Sequence, residues 1–313
     1  MEQNFVKKFN INEKRPQVSL VGNGLVYQKD FSWDNFINKI SRCDRHIVVG
    51  NKVPYSIRAT TTADVSDKRR QDKYCKAFSE YKYSSFKNLS ELLKIPFDSI
   101  LTTNYTYEIE NHLYKNYYLL SDGAKRKKAI CTARKSEAKY LLRTYNRLSN
   151  EEQTYDIWHI HGEVRRKSSM ILTHDEYARL TKNILEYLEK RQNSYSEYYE
   201  DVKFKSWIDY FIMGDIYIVG LGFDFSEFDL WWLLNRRMRE NADVGNVYFY
   251  EPICEENKPK ISALECMGVQ CESFSMVKPS NGNILSSFYD DFYKKVIVDI
   301  NKKVSRQETF TSE

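Results

Sequence analysis

The chain has 313 residues, 42% of them hydrophobic and 15% aromatic, which is enough apolar mass for a sizeable core. Its 48 Lys and Arg against 43 Asp and Glu leave a formal charge of +5, without the concentrated basic footprint that nucleic-acid binding asks for. No apolar run approaches the ~18 residues of a membrane span, and the opening MEQNFVKKFN has no apolar signal core, so a cytoplasmic protein is expected.

The run Val18–Val21 reads as a buried strand feeding the tight turn Gly22-Asn23-Gly24. Ser32 or Asp34 then caps a helix through Ile40, because Phe36, Ile37 and Ile40 fall at helical spacing. A second apolar run, His46–Gly50, leads into Val53-Pro-Tyr-Ser-Ile-Arg-Ala-Thr60, and residues 68–86 have helical character. Phe97–Leu101 is another short strand, followed by Thr102-Thr103-Asn104-Tyr105-Thr106 and a helix over Tyr107–Tyr117. Residues 121–150 are rich in Lys and Arg and predict a solvated helix, with a basic patch at Lys125–Lys128 that suits anions. Asp156–Ile160 alternates as a strand closed by Gly162, and residues 175–213 look helical. Asp215–Val219 is a strand opening on Gly220-Leu-Gly222, a helix covers Phe228–Arg239, and Val247–Tyr250 is the last clear strand.

Short apolar strands alternating with helices predict an α/β fold: a Rossmann-like, mostly parallel sheet with helices on both faces. The expected plan is one domain over residues 1–313. Its core spans about 17–255, with helical insertions near 105–150 and 170–210 and a frayed polar tail over 303–313.

In such a sheet ligands bind outside the carboxyl ends of the strands. Five polar or glycine-rich stretches fall there: Gly22–Gly24, Thr102–Thr106, His161-Gly162, Gly220–Ser226 and Glu251. Gly22-x-Gly24 fits either close backbone approach to a pyrophosphate or an ordinary turn, since a third glycine is missing. Asn104 fits either a ligand-facing amide or a helix cap. In Trp158-His-Ile-His-Gly-Glu163 a strand would put both histidines on one face, where they could chelate zinc. A third ligand is lacking, with no H-E-x-x-H motif and no cysteine from residue 132 to 253, so no metal is expected. His161, at the strand end, is then the candidate base, and His159 is assigned to packing. The acids within Gly222–Asp229 favour the following helix N-terminus or bind ribose hydroxyls, while Trp231 and Trp232 are assigned to the core. The six cysteines form no C-x-x-C pair and read as free thiols.

The ordered set resembles the sirtuin-like superfamily, in particular its bacterial NAD-hydrolysing branch found in antiphage defence. Val21-Gly-Asn-Gly-Leu25 is similar to the opening GxG loop, Val53–Thr60 to the proline-containing cofactor loop, and Thr102-Thr-Asn-Tyr105 to the segment carrying the catalytic asparagine. Ile160-His-Gly162 is similar to the catalytic HG, and Gly222–Asp229 to the later glycine-serine loop. The resemblance implies NAD as substrate and Asn104 and His161 as catalytic residues, with His161 the base. It implies cofactor contacts from Gly22, Asn23, Gly24, Thr103, Thr106, Gly222, Asp224, Ser226 and Glu251. It further implies a homo-oligomer working beside an ATPase or phage-sensing protein. Two features depart from the pattern. The zinc ribbon of sirtuin deacylases is absent between the HG and the later loop, which turns the expectation from lysine deacylation to NAD hydrolysis. Thr106 stands where the family has an aspartate that contacts nicotinamide, which keeps open a sensor that binds NAD or ADP-ribose without turnover.

Overall fold

A computed structural model describes residues 15–26, 33–40, 53–62, 67–79, 87–113, 130–133, 141–149, 154–192, 204–239, 244–279 and 285–310. The strands are β1 (Gln17–Val21), β2 (Ser99–Thr102), β3 (Ile130–Ala133), β4 (Tyr145–Ser149), β5 (Thr154–His159), β6 (Asp215–Val219), β7 (Val247–Tyr250) and β8 (Val269–Glu272). They form one sheet in the order β3-β4-β5-β2-β1-β6-β7-β8. The six strands from β5 to β8 run parallel, and β3 and β4 add an antiparallel edge. The strand order reverses around β1, with Val18 opposite Ser99 on one side and Ile216 on the other. That reversal opens a crevice at the carboxyl ends.

The described helices are α1 (Trp33–Ile40), α2 (Tyr55–Thr62), α3 (Asp67–Ser79), α4 (Lys87–Leu92), α5 (Glu108–Leu113), α6 (His174–Gln192), α7 (Trp207–Met213), α8 (Phe228–Arg239), α9 (Lys258–Cys266) and α10 (Leu285–Phe310). Because strand side chains alternate, each central strand feeds two cores. Val18, Leu20, Ile216 and Ile218 join α6, α7 and α8 on one face. Val21, Tyr217 and Val219 join α4 and α10 on the other. A third cluster, built from α1, α2 and α3 with Tyr105, Met170 and Leu172, lies outside these two layers. Arg237 of α8, almost wholly buried, donates to the carbonyls of Phe211, Ile212, Gly214 and Gly245, which satisfies the end of α7 and ties it to the start of β7.

Four expectations change. Residues 130–133 and 145–149 are strands rather than parts of a solvated helix, and they pair on the sheet edge. The sheet does not end at β7, because β8 pairs with it in parallel. The core therefore runs past residue 255, to the buried Val304 of α10. Residues 303–310 continue that helix instead of fraying. The run at His46–Gly50, the cap at Ser32 and the basic patch at Lys125–Lys128 lie outside the described residues.

Candidate active site

The carboxyl ends of β1, β2, β5 and β6 meet around a cavity of about 420 Å³, a volume in the usual range for small-molecule sites. Nine of the eleven sequence-derived site residues line it: Asn23, Gly24, Thr103, Asn104, Thr106, His161, Gly222, Asp224 and Ser226. The helical cluster closes its outer wall with Trp33, Tyr55, Ser56 and Phe78. Gly22 and Glu251 are not in the lining.

The glycines hold two strand-end loops together. A Cβ on Gly22 would lie 2.5 Å from the Gly220 oxygen, and one on Gly24 would lie 2.8 Å from the same atom. The Gly22 amide donates to Val219 O at 2.9 Å and the Gly24 amide to Gly220 O at 2.7 Å. Both N–H groups expected to approach a pyrophosphate are thus engaged within the protein. Glu251 pairs with Lys260 at 2.6 Å, and Lys260 also donates to the Gly222 carbonyl at 2.5 Å. Its place is the support of the β6–α8 loop.

Asn104 follows β2 directly. Its backbone N–H donates to Thr102 Oγ1 at 3.1 Å, and its carbonyl accepts from His159 Nδ1 at 2.7 Å. Its side-chain Nδ2 is buried and has no partner. A buried donor left without an acceptor carries a desolvation cost of about 1–3 kcal/mol, so this amide fits a group awaiting a ligand or a bound water. Two residues on, Thr106 lines the cavity and donates its hydroxyl to Glu108, which leaves the Thr106 oxygen as an acceptor. Burial raises the Glu108 carboxyl above its ordinary value.

The two histidines do not share a face, because β5 ends at His159 and residues 160–161 turn. His159 is buried, with Nε2 at 2.8 Å from Glu110 Oε1. Burial works against its charge, but Glu110, backed by Glu163 and the Asn104 carbonyl, overrides that and lifts its pKa to about 9. His161 is equally buried, yet lies on the cavity wall. Its Nε2 is 3.0 Å from Asp229 Oδ2 and its Nδ1 is 3.3 Å from Glu227 Oε2. Burial again opposes the imidazolium, and Asp229 with Glu227 outweighs it, so the His161 pKa rises. Burial also pushes Glu227 up to about 7.

The ligand-type atoms of His161, Glu227 and Asp229 lie within 4.8 Å of one another. The composition would suit a cation, but the arrangement is a hydrogen-bonded chain, with the carboxylates on opposite ring nitrogens. Each carboxylate is engaged with a different ring nitrogen of His161.

Asp224 and Ser226 build the loop after Gly222. Asp224 Oδ1 accepts from the Ser226 amide at 2.8 Å and from its hydroxyl at 2.5 Å, and Ser226 Oγ accepts from the Ser56 amide at 3.1 Å. Phe223 in this loop has φ 47°, a left-handed conformation that non-glycine residues seldom adopt outside functional loops. Trp231 packs partly buried against the core, donates to the Asp224 carbonyl at 3.0 Å and stacks on Phe225.

The profile of the SIR2-like domain matches residues 98–271, more than half of the chain. The chain belongs to the SIR2-like family. SIR2-like domains bind NAD, and the matched span carries β2 with Asn104, the turn with His161 and the whole β6–α8 loop. None of the curated proteins matches the chain. Among the described residues no helix is long and apolar enough to cross a membrane.

Sequence reading missed three parts of this SIR2-like site. Glu227 and Asp229 stood inside the quoted Gly222–Asp229 segment but were read as helix-dipole partners or ribose ligands, not as partners of His161. Their spacing at the start of α8 was the available signal. Tyr177, in the lining from α6, and Trp33 and Phe78 of the aromatic wall had none, since their approach depends on how the helices pack, whereas Tyr55 and Ser56 lie within the Val53–Thr60 segment already singled out.

Proposed function

We propose that this SIR2-like protein hydrolyses NAD to nicotinamide and ADP-ribose. The observation that supports the reading best is the unpartnered buried amide of Asn104 lining one cavity with His161 and Glu227, the ring backed by the enclosed Asp229. Cleavage of the bond between ribose C1′ and the cationic nicotinamide needs a positioned water, a proton acceptor and exclusion of other water. Asn104 Nδ2 would hold the attacking water or a ribose hydroxyl. The His161 cluster would accept the proton. Thr106, its oxygen left as an acceptor, would take an N–H from the nicotinamide carboxamide in place of a carboxylate. Asn23, Gly24, Thr103, Gly222, Asp224 and Ser226 would line the remainder of the dinucleotide. Gly22 would act by allowing β1 to meet the β6 loop, and Glu251 through Lys260.

By the resemblance, the biological role is an NAD-depleting effector of antiphage defence, working as a homo-oligomer or beside an ATPase or phage-sensing partner. Nicotinamide release by the purified protein tests the chemistry. The wild type is expected to release nicotinamide. Asn104→Ala is expected to bind NAD yet lose at least about a hundredfold in rate, and His161→Ala is expected to keep its fold and lose activity. Equal release by wild type and His161→Ala would sink the assignment. Wild-type protein that binds NAD without consuming it would favour the sensor reading, for which Thr106 is the specific support.

A further inference from the structure

Glu227 offers the site an open carboxylate. His161 cannot serve as a free base in the arrangement observed, because both ring nitrogens already face carboxylates, Asp229 at 3.0 Å and Glu227 at 3.3 Å. The two carboxylates differ. The Asp229 side chain is fully enclosed in the first turn of α8, whereas the Glu227 side chain is 13% exposed and lines the cavity. His161 and Glu227 both line the cavity, but with both ring nitrogens facing carboxylates, Glu227 is the acceptor open to a proton leaving a reactant there.

We propose that Glu227 is the proton-accepting group of the site, with His161 held between two carboxylates as the cation that positions and stabilises it. The inference rests on the hydrolase reading above. In the step, the water oxygen forms a bond to C1′ while the C1′–N bond breaks. Both electrons of that bond pass to the ring nitrogen, giving neutral nicotinamide, and one water proton passes to the Glu227 carboxylate and on to solvent. No further reactant is needed. The groups that face Glu227 are His161 from the turn after β5, Asp229 from α8, Asp224 from its own loop, Tyr105 from the segment after β2 and Tyr177 from α6, whose hydroxyl lies 3.4 Å from Glu227 Oε2. Asp229 and Asp224 add to the upward push on Glu227, and His161 opposes it. Burial gives the largest push, and the group settles near about 7, where a carboxylate can both take and release a proton at neutral pH.

The test pairs two readouts on Glu227→Gln and the wild type. Difference infrared spectra between about pH 6 and about pH 8 report the protonated carboxyl directly, with or without turnover. A carboxyl band that fades across that range in the wild type and is missing from Glu227→Gln is expected. Nicotinamide release is expected to rise with pH through about 7 in the wild type and to fall about a hundredfold or more in Glu227→Gln. NAD affinity by calorimetry should stay within about threefold, and Glu227→Asp should recover part of the rate. Absence of the titrating band, or Glu227→Gln turnover near wild type while His161→Ala is inactive, overturns the role of Glu227 and leaves the hydrolase reading standing. A wild type that shows the band and binds NAD but releases no nicotinamide overturns the hydrolase reading, and the catalytic role with it.

Discussion

His159 and His161 are one residue apart and chemically identical, and their neighbours give them different work. His159 bonds the Asn104 carbonyl and Glu110, so it anchors the backbone of the proposed water-positioning residue. Its pKa is raised from 6.5 to about 9, so the sign of its contribution follows. The stabilisation is fully present below the unfolded value and disappears as pH climbs through about 9. Wild-type stability measured by urea unfolding should therefore decline between about pH 6.5 and about pH 9, by on the order of 3 kcal/mol from this group. His159→Gln should be less stable at the acidic end and nearly flat over that window. A variant with the same slope as wild type would refute the assignment. Asn104 and Glu227 differ from the histidines in what they leave open: an amide nitrogen without a partner and a carboxyl poised near neutrality, both on the cavity wall.

Among the elements, the turns carry the site and the strands place it. Gly162 has φ 88°, and a Cβ there would stand 2.2 Å from the Ser169 carbonyl. The chain after His161 must bend this way for Ile171 N to reach the His161 carbonyl at 2.9 Å, which ties the turn to the strand end. Gly162→Ala combines left-handed strain with a clash against backbone, and should cost about 3 kcal/mol or more in urea unfolding. Gly222→Ala is the control, since nothing lies within 4 Å of its added Cβ, and should change stability by less than about 1 kcal/mol. Comparable losses for the two would contradict the argument. The strands β3 and β4 show the opposite lesson. Their Lys- and Arg-rich surroundings read as a solvated helix, yet charges are accommodated on this antiparallel end of the sheet by cross-strand pairing, as Arg147 and Asp156 show across β4 and β5 at 2.6 Å.

For the whole molecule, α10 decides whether the sheet has two covered faces. It buries Phe292, Tyr293, Val296, Ile300 and Val304 against strands that come from distant parts of the chain. At about 1.5 kcal/mol or more for each buried side chain, its removal takes away about 7 kcal/mol, comparable with the entire stability of a domain. A chain shortened to residues 1–284 should lose cooperative thermal unfolding by circular dichroism. An unchanged melting transition would mean that the helix is an accessory. The parallel sheet, the strand-end location of the site and most of its lining were legible in the sequence, because a buried parallel strand must be a short apolar run and the polar residues just after it must face the crevice. The strand β8 and the length of α10 were not, since Val269–Glu272 has only one fully buried position and α10 carries charge through its last turns.

The local pattern put Asn104 and His161 just after strands, and the pairing of β2 with β5 brings the two to one crevice. Tertiary structure alone decided what surrounds them. The start of α8 and the residue before it bring Asp229 and Glu227 onto opposite nitrogens of His161, and the Gly22 and Gly24 amides bond the end of β6. Periodicity reports which face of an element is buried. Which carboxylate reaches which nitrogen depends on contacts between residues 66 or more positions apart, such as Glu227 with His161, and only the packing of the helices on the sheet sets those.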